Sequence, residues 1–138
     1  MPSNDTYSLT GEIPSPGEYR ALRVTAGLSA RTGEAAARGL PNSLYAVCIR
    51  AHGELVGMGR IVGDGGCNFE IVDIAVHPQH QRQGLGTRIM ESLMSYLREH
   101  APPSAYVSLI ADEGAPELYR RFGFEPTAPA SVGMALQL

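Results

Sequence analysis

The chain's 138 residues, 43% hydrophobic and 18% charged, are typical of one folded globular domain covering residues 1–138, and they exclude a disordered or fibrous chain. Its net charge of -3, with no block of basic residues, argues against a nucleic-acid or anionic-membrane surface. Because no apolar run is long enough to cross a membrane and the start lacks a signal-peptide pattern, we expect a cytoplasmic protein.

The first third of the sequence predicts a strand followed by two helices. Residues 7–13 alternate apolar and polar side chains and stop at a Pro-Ser-Pro-Gly sequence, which is the pattern of a half-buried strand followed by a turn. A loosely periodic helix is predicted from Glu18 to residue 26. A second helix is predicted over residues 32–38, with Thr32 as its N-cap and a run of alanines that favours helix.

The middle of the sequence predicts an antiparallel meander. Residues 44–50 and 55–62 are apolar, β-branched runs on either side of an Ala-His-Gly-Glu sequence, so we expect them to form a hairpin. Residues 69–76 (FEIVDIAV) follow a glycine-rich turn and are the most strand-like stretch of the chain. The three runs therefore predict three neighbouring strands.

The best helix of the sequence follows a polar, glycine-containing loop. Leu85, Ile89 and Leu93 recur at helical spacing and predict a helix that extends to residue 100. Two consecutive prolines then break the helix, so the next apolar run, residues 105–111, is predicted to be a strand. A strand, a helix and a strand in succession favour parallel pairing of the two strands.

The C-terminal segment predicts one more short helix and an extended tail. Residues 117–122 form the predicted helix, with Pro116 near its first turn and Gly123 at its end. Residues 131–138 are expected to close the sheet.

The cysteines and histidines do not indicate a metal site. Cys48 and Cys67 have no CxxC or histidine-rich neighbourhood, so both are expected to be buried free thiols outside any disulfide framework. The four histidines are too scattered to form a metal set. His77 and His80 lie close enough to the glycine-containing loop to contact a ligand bound there.

The segment Gln81-Arg82-Gln83-Gly84-Leu85-Gly86 leads directly into the best predicted helix. N–H groups in the first turn of a helix lack intrahelical partners, and the helix dipole favours an anion there. A side chain at either glycine would keep the backbone from closing on phosphate oxygens. The turn therefore predicts a pyrophosphate-binding loop. The alternative interpretation is a turn with no ligand, which only separates a strand from the following helix.

Two segments in this order resemble the GNAT superfamily of N-acetyltransferases. Residues 72–78 (VDIAVHP) with the turn at 81–86 match its Q/R-x-x-G-x-G/A signature, and residues 115–124 (APELYRRFGF) look like its later A-x-x-x-Y-x-x-x-G-F segment. The resemblance covers residues 44–126 well. It implies an α/β (α+β) fold whose mixed, mostly antiparallel central sheet is splayed at a bulge before the glycine turn and flanked by about four helices.

The resemblance also implies a substrate and its contacts. The acyl donor is acetyl-CoA, and no metal is involved. The pantetheine arm and the thioester would lie against the bulged strand at Ile74, Ala75 and Val76. The glycine turn would surround the pyrophosphate with six residues, namely Gln81, Arg82, Gln83, Gly84, Leu85 and Gly86.

Three residues are candidates for the proton transfers. Tyr119 matches the family's tyrosine near the coenzyme sulfur and is the predicted general acid. Glu70 is preferred to Asp73 as the general base because some family members carry a glutamate at its position. Simple alternation would place the two carboxylates on opposite faces of their strand, although a bulge would change that. The alternative for either one is a structural charge, for example paired with Arg60, with water taking the proton.

The function that these residues favour is direct transfer of an acetyl group to a primary amine of a small molecule, an amino acid derivative or a peptide. A non-catalytic acyl-CoA sensor or regulatory module on the same scaffold is the alternative, and a homodimer is left open. A Rossmann-type dinucleotide binder is disfavoured because the glycine turn lacks G-x-G-x-x-G. The acceptor pocket is expected to be lined by Tyr19, Arg20, Arg23 and Arg31 and closed by Ser131, Val132 and Met134.

Overall fold

The computed structural model describes residues 6–112 and 115–138, which form one five-stranded sheet with helices on both faces. The strands run in the order β1-β2-β3-β4-β5, antiparallel from β1 to β4 and parallel between β4 and β5. This arrangement confirms the predicted mixed, mostly antiparallel sheet with about four helices. The strands are β1 (Tyr7–Thr10), β2 (Tyr45–Ala51), β3 (Glu54–Gly63), β4 (Asn68–Val76) and β5 (Tyr106–Ser108), and the helices are α1 (Pro16–Thr25), α2 (Gly33–Gly39), α3 (Leu85–His100) and α4 (Pro116–Arg120).

The two N-terminal helices begin at side-chain caps. In α1 the hydroxyl of Ser15 accepts from the Glu18 N–H while the Glu18 carboxylate accepts from the Ser15 N–H, so the helix begins at Pro16, earlier than predicted. In α2 the Thr32 hydroxyl accepts from the Ala35 N–H at 3.1 Å, which confirms Thr32 as the N-cap.

The helices cover the sheet as two layers with separate apolar clusters. On one face, α3 packs on β2, β3 and β4 through Ile89, Met90 and Leu93, all fully buried, and α4 joins it with partly buried side chains. On the other face, α1 packs Tyr19 and Leu22 against the strands, and α2 packs Ala36. Both faces of the sheet are therefore apolar, as expected for a sheet between two helical layers.

A β-bulge interrupts the pairing of β3 with β4. Gly57 pairs with Val76 and Met58 with Ala75, but the register shifts by one residue before Arg60 pairs with Val72. Asp73 has a φ of 60°, a left-handed conformation that is uncommon for a residue other than glycine. Gly59 lies opposite, where a Cβ would stand 2.7 Å from Ile89 Cγ2, so only glycine lets α3 approach the sheet this closely. The predicted bulge is confirmed.

The sheet opens from Glu70 onward, just before the bulge, because β5 is short. Its parallel pairing ends at Glu70 with Ser108, whereas β4 continues to Val76. The predicted strand over residues 105–111 is thus limited to Tyr106–Ser108. The backbone groups of β4 past Glu70 face an opening on that side, and this is the splay that the resemblance implies.

Two expectations are wrong. Residues 131–138 form no strand in the structure and are exposed, so the tail does not close the sheet. Cys67 is exposed in the β3–β4 turn, while Cys48 is buried as expected.

In the part of the chain that the structure describes, no helix is both long and apolar enough to span a bilayer.

Candidate active site

The glycine turn presents the open end of α3. Arg82 and Gly84 both adopt left-handed conformations, with φ of 63° and 77°, and Gly84 is the N-cap of α3 without a side-chain cap. The Arg88 N–H closes the first helical hydrogen bond, to the Gly84 carbonyl at 3.2 Å. The N–H groups that precede it in the first turn are therefore left for a ligand, and the helix dipole favours an anionic one.

This turn lines a cleft of about 630 Å³ between α3, α4 and the opened end of β4. Two guanidinium groups, of Arg82 and Arg121, border it together with His80, so the cleft combines positive charge with open backbone donors. A pyrophosphate-bearing ligand fits these groups. The remaining lining residues are Ile74, Val76, Gln81, Gly84, Leu85, Gly86, Thr87, Asp112, Ala115, Leu118 and Tyr119.

Seven of the nine residues predicted to contact acetyl-CoA line this cleft. The two exceptions are Ala75, whose side chain packs into the cluster beneath α1, and Gln83, which is exposed. Gln81 also donates from its side-chain amide to the Val76 carbonyl at 3.3 Å and so ties the turn to the end of β4. Sequence reasoning missed Arg121, although its place beside Tyr119 on the matched helix was a usable signal.

A second cavity, of about 380 Å³, lies on the other side of the opening. The segment between α1 and α2, strand β4 and the chain after β5 form its walls. It shares three residues with the cleft, namely Ile74, Asp112 and Tyr119, so the two spaces meet there. The other lining residues are Arg23, Gly27, Leu28, Ser29, Arg31, Glu70, Ile71, Val72, Asp73, Leu109 and Ile110.

Tyr119 stands on α4 at the junction of the cleft and the second cavity. Burial raises the pKa of its phenol, and the negative charge of Asp112 raises it further. Both effects favour the neutral, protonated form, so at neutral pH Tyr119 holds a proton that it can donate.

Asp73 occupies the bulge and is held by three side chains. It forms ion pairs with Arg23 and with Arg60, the latter at 2.8 Å, and it accepts a 2.8 Å hydrogen bond from the Tyr19 hydroxyl. Its side chain is 7% exposed. This carboxylate is the counter-charge of two largely buried guanidinium groups, an arrangement typical of a structural ion cluster.

Glu70 faces the same cavity as Asp73. Its neighbours Phe69 and Ile71 are buried in the cluster beneath α3, so the Glu70 side chain points to the opposite face of β4. The bulge reverses the alternation after Val72 and brings Asp73 to that face too, contrary to simple alternation along the strand.

The cysteines and most histidines lie away from the junction. Burial raises the pKa of Cys48 to about 12, so its thiol is no nucleophile. His80 lines the cleft and accepts or donates a 2.9 Å hydrogen bond with the Tyr7 hydroxyl, whereas the His77 ring accepts from the Gln79 N–H. Among residues 6–112 and 115–138, no group of three His, Cys, Asp or Glu side chains is arranged to hold a metal.

The residues predicted to line an acceptor pocket are not all brought together. Arg23 and Arg31 line the second cavity, but Tyr19 and Arg20 do not, and the tail residues are exposed elsewhere. Sequence reasoning missed Leu109 and Ile110 because it extended the strand through residue 111, and it also missed Asp112, which follows directly.

Comparison with known proteins connects this geometry to a family. The model of the acetyltransferase (GNAT) family matches residues 16–124. A Staphylococcus aureus protein of unknown function, described as a probable acetyltransferase, has 48% sequence identity and a TM-score of 0.92, over 96% of this chain and 99% of that one.

Curated relatives match over a shorter region. GCN5-related N-acetyltransferase 2 of Arabidopsis thaliana, a chloroplastic protein, is 35% identical over 81 residues, which are 59% of this chain and 31% of that protein. Histone acetyltransferase TAP1 of Glycine max is 36% identical over 80 residues, 58% of this chain and 34% of its own length. The chain thus spans about a third of the length of these relatives.

Proposed function

The chain belongs to the acetyltransferase (GNAT) family, and on that premise we propose that it is an acetyl-CoA-dependent N-acetyltransferase acting by direct transfer on a primary amine. One observation carries the proposal: the anion-binding cleft and the second cavity meet at Tyr119. A donor in the cleft and an acceptor in the cavity would therefore face each other, which is what direct transfer requires.

The cleft would hold acetyl-CoA through the glycine turn and the opened strand. Backbone N–H groups at the start of α3, with Arg82 and Arg121, would bind the pyrophosphate. The backbone of β4 beyond Glu70 would bind the pantetheine arm, since no β5 partner occupies it. When bound, acetyl-CoA supplies the thioester that an amine can attack.

Tyr119 would act as the general acid. A thiolate leaving group needs a proton, and a neutral phenol donates one without bringing a positive charge into the site. Burial and Asp112 raise the pKa of Tyr119, which keeps the donor protonated at neutral pH. Its place at the junction puts it within the space where the departing sulfur would lie.

Glu70 would assist removal of the proton from the amine, directly or through a water molecule. It lines the acceptor cavity and takes part in none of the ion pairs among the described residues. Asp73, by contrast, is committed to Arg23 and Arg60, so we assign it to holding the bulge. A cytoplasmic location remains a prediction from the sequence.

A screen of amines tests the proposal. Purified protein is mixed with acetyl-CoA and single small amines, amino acid derivatives or short peptides, and free thiol release is measured. Amine-dependent release supports the enzyme. If acetyl-CoA raises the thermal midpoint but no amine of any class releases thiol, the non-catalytic sensor is the better account.

A further inference from the structure

Among the described residues, one guanidinium group that lines the second cavity has no carboxylate partner. Three arginines lie at or beside this cavity, namely Arg23, Arg31 and Arg60. Arg23 pairs with Asp73 and also donates to the Ser29 carbonyl at 2.8 Å and to its hydroxyl at 3.0 Å. Arg60 pairs with Asp73 and donates to the Ser43 hydroxyl at 2.7 Å. Two of the three guanidinium groups are thus engaged by the single carboxylate of Asp73.

Arg31 donates only to neutral oxygens. Its Nη1 donates to the Ser29 hydroxyl at 2.8 Å and more weakly to the Ala30 carbonyl at 3.5 Å. Within the described ranges of the chain no carboxylate pairs with Arg31, and it is neither fully buried nor fully exposed. Its remaining donors are available to an anion inside the cavity.

The backbone of Arg31 is held in place by both neighbouring helices. Its carbonyl accepts from Arg20 Nε of α1 at 2.8 Å. The next residue, Thr32, is the N-cap of α2. The start of the arginine side chain is therefore anchored between α1 and α2, and the planar guanidinium that it carries suits recognition of a planar carboxylate.

The same cavity is also lined by two carboxylates. Glu70 and Asp112 line it and form no ion pair with the other described residues. These carboxylates attract the ammonium form of an incoming amine toward Tyr119. A pocket with an unpaired guanidinium and unpaired carboxylates is complementary to a molecule that carries both charges.

Resting on the proposed function, we infer that the acceptor is a small amine that also carries a carboxylate, and that Arg31 binds this carboxylate. The volume of about 380 Å³ is at the lower end of ligand pockets and suits a molecule of amino-acid size. The singly charged carboxylate matches one guanidinium in a cavity where a phosphate group would meet stronger repulsion from Glu70, Asp73 and Asp112.

Paired substrates test this assignment. Thiol release is measured with L-amino acids and with the corresponding α-carboxamides, in which the amine is kept and the negative charge removed. ω-Amino acids and their carboxamides extend the series to other spacings between the two groups. We expect the best acid to exceed its amide at least about 10-fold in kcat/KM, since the amide lacks the negative charge that would pair with the partly buried guanidinium of Arg31.

The Arg31→Gln variant should remove that preference. The KM for the acid is expected to rise about 10- to 100-fold while the kcat and the kinetics of the amide change little, because the lost contact is equal in the ground and transition states. Arg31→Lys should restore part of the preference. Arg38→Gln is the matched control, since Arg38 lies on the exposed face of α2 in an ion pair with Glu34 and makes the same charge change outside the cavity.

Binding without turnover separates this inference from the proposed function. With coenzyme A present, the acid should raise the thermal midpoint of the wild type and of Arg38→Gln, but not that of Arg31→Gln. Such binding with no thiol release would support the carboxylate site and contradict the enzyme. Turnover in which acid and amide react equally, or in which Arg31→Gln keeps the acid preference, would overturn the carboxylate site and leave the enzyme standing.

Discussion

Arg60 of β3 donates from its Nε to the Asp73 carboxylate at 2.8 Å, across the point where β3 and β4 lose register. The ion pair thus holds the one residue of β4 whose φ is 60°. A left-handed conformation costs energy for a residue with a Cβ, and the surrounding structure must compensate for that cost. Here Tyr19 and Arg23 complete the set of contacts.

The Asp73→Asn variant should therefore be less stable. Asparagine tolerates the left-handed backbone, so the change isolates the charge. Two largely buried guanidinium groups would lose their counter-charge, and we expect a loss of about 3 kcal/mol in the free energy of unfolding. Urea denaturation measures it. A loss below about 0.5 kcal/mol, the range of ordinary surface changes, would show that the cluster does not hold the bulge.

Gly84→Ala should weaken acetyl-CoA binding by more than its effect on folding explains. Alanine at a φ of 77° is strained, at a cost of about 1 kcal/mol. Gly65→Ala is the control, because Gly65 has a φ of 81° in the exposed β3–β4 turn, away from the cleft. Both variants should melt earlier, but only Gly84→Ala should lose part of the midpoint shift that acetyl-CoA gives. Equal shifts in the two variants would argue against the phosphate turn.

The Glu18–Arg50 ion pair makes stability depend on pH. Hydrogen bonding to Arg50 lowers the pKa of Glu18 from 4.5 to about 2 in the folded state. Because the folded pKa is lowered, the stabilisation is complete above pH 4.5 and is lost as pH falls from 4.5 toward 2.

Unfolding of wild type and Glu18→Gln at several pH values tests this pair. The difference in unfolding free energy between the two proteins should be largest near neutrality and should shrink as the pH falls from 4.5 toward 2. Because both side chains of the pair are partly exposed, added salt should make the difference smaller. Glu34→Gln, which breaks the exposed pair with Arg38, should give a small difference. A Glu18→Gln difference independent of pH would contradict the assignment.

Local chemistry could be predicted from the sequence where neighbouring residues determine it. Thr32 is the N-cap of α2, and His52 and Gly53 form the hairpin turn with φ of 52° and 82° respectively. Both features were predictable because each depends only on residues that are adjacent in the sequence. The start of α1 was also predictable, since Ser15 and Glu18 have the spacing of a capping box. There the Pro-Ser-Pro-Gly sequence favoured a turn instead.

The second cavity could not be predicted because its walls come from distant parts of the chain. Arg31, Glu70 and Tyr119 meet only after the sheet forms. The side of the sheet on which the Asp73 side chain lies depends on the position of the bulge, and β4 contains no glycine that would have indicated this position. The glycine turn, by contrast, is a single continuous segment, and most of its predicted residues line the cleft.

Glu70→Gln should change the pH dependence of the rate. If Glu70 takes the proton from the amine, kcat/KM should fall most at neutral pH, and the acidic limb of the profile should flatten. Activity should partly recover at high pH, where free amine is abundant. Asp73→Asn should keep the acidic limb. If Asp73→Asn alone removes that limb, the two roles must be exchanged, and if neither variant alters it, water is the base.

The most direct measurement of the central claim is the turnover of Tyr119→Phe with the best amine of the screen. Phenylalanine keeps the ring that packs on the cluster beneath α3 and removes only the proton donor at the junction of the two cavities. The midpoint shift with acetyl-CoA should match the wild type. We predict that kcat falls roughly 10- to 1,000-fold. An unchanged kcat with normal acetyl-CoA binding would contradict the assignment of Tyr119 as the acid.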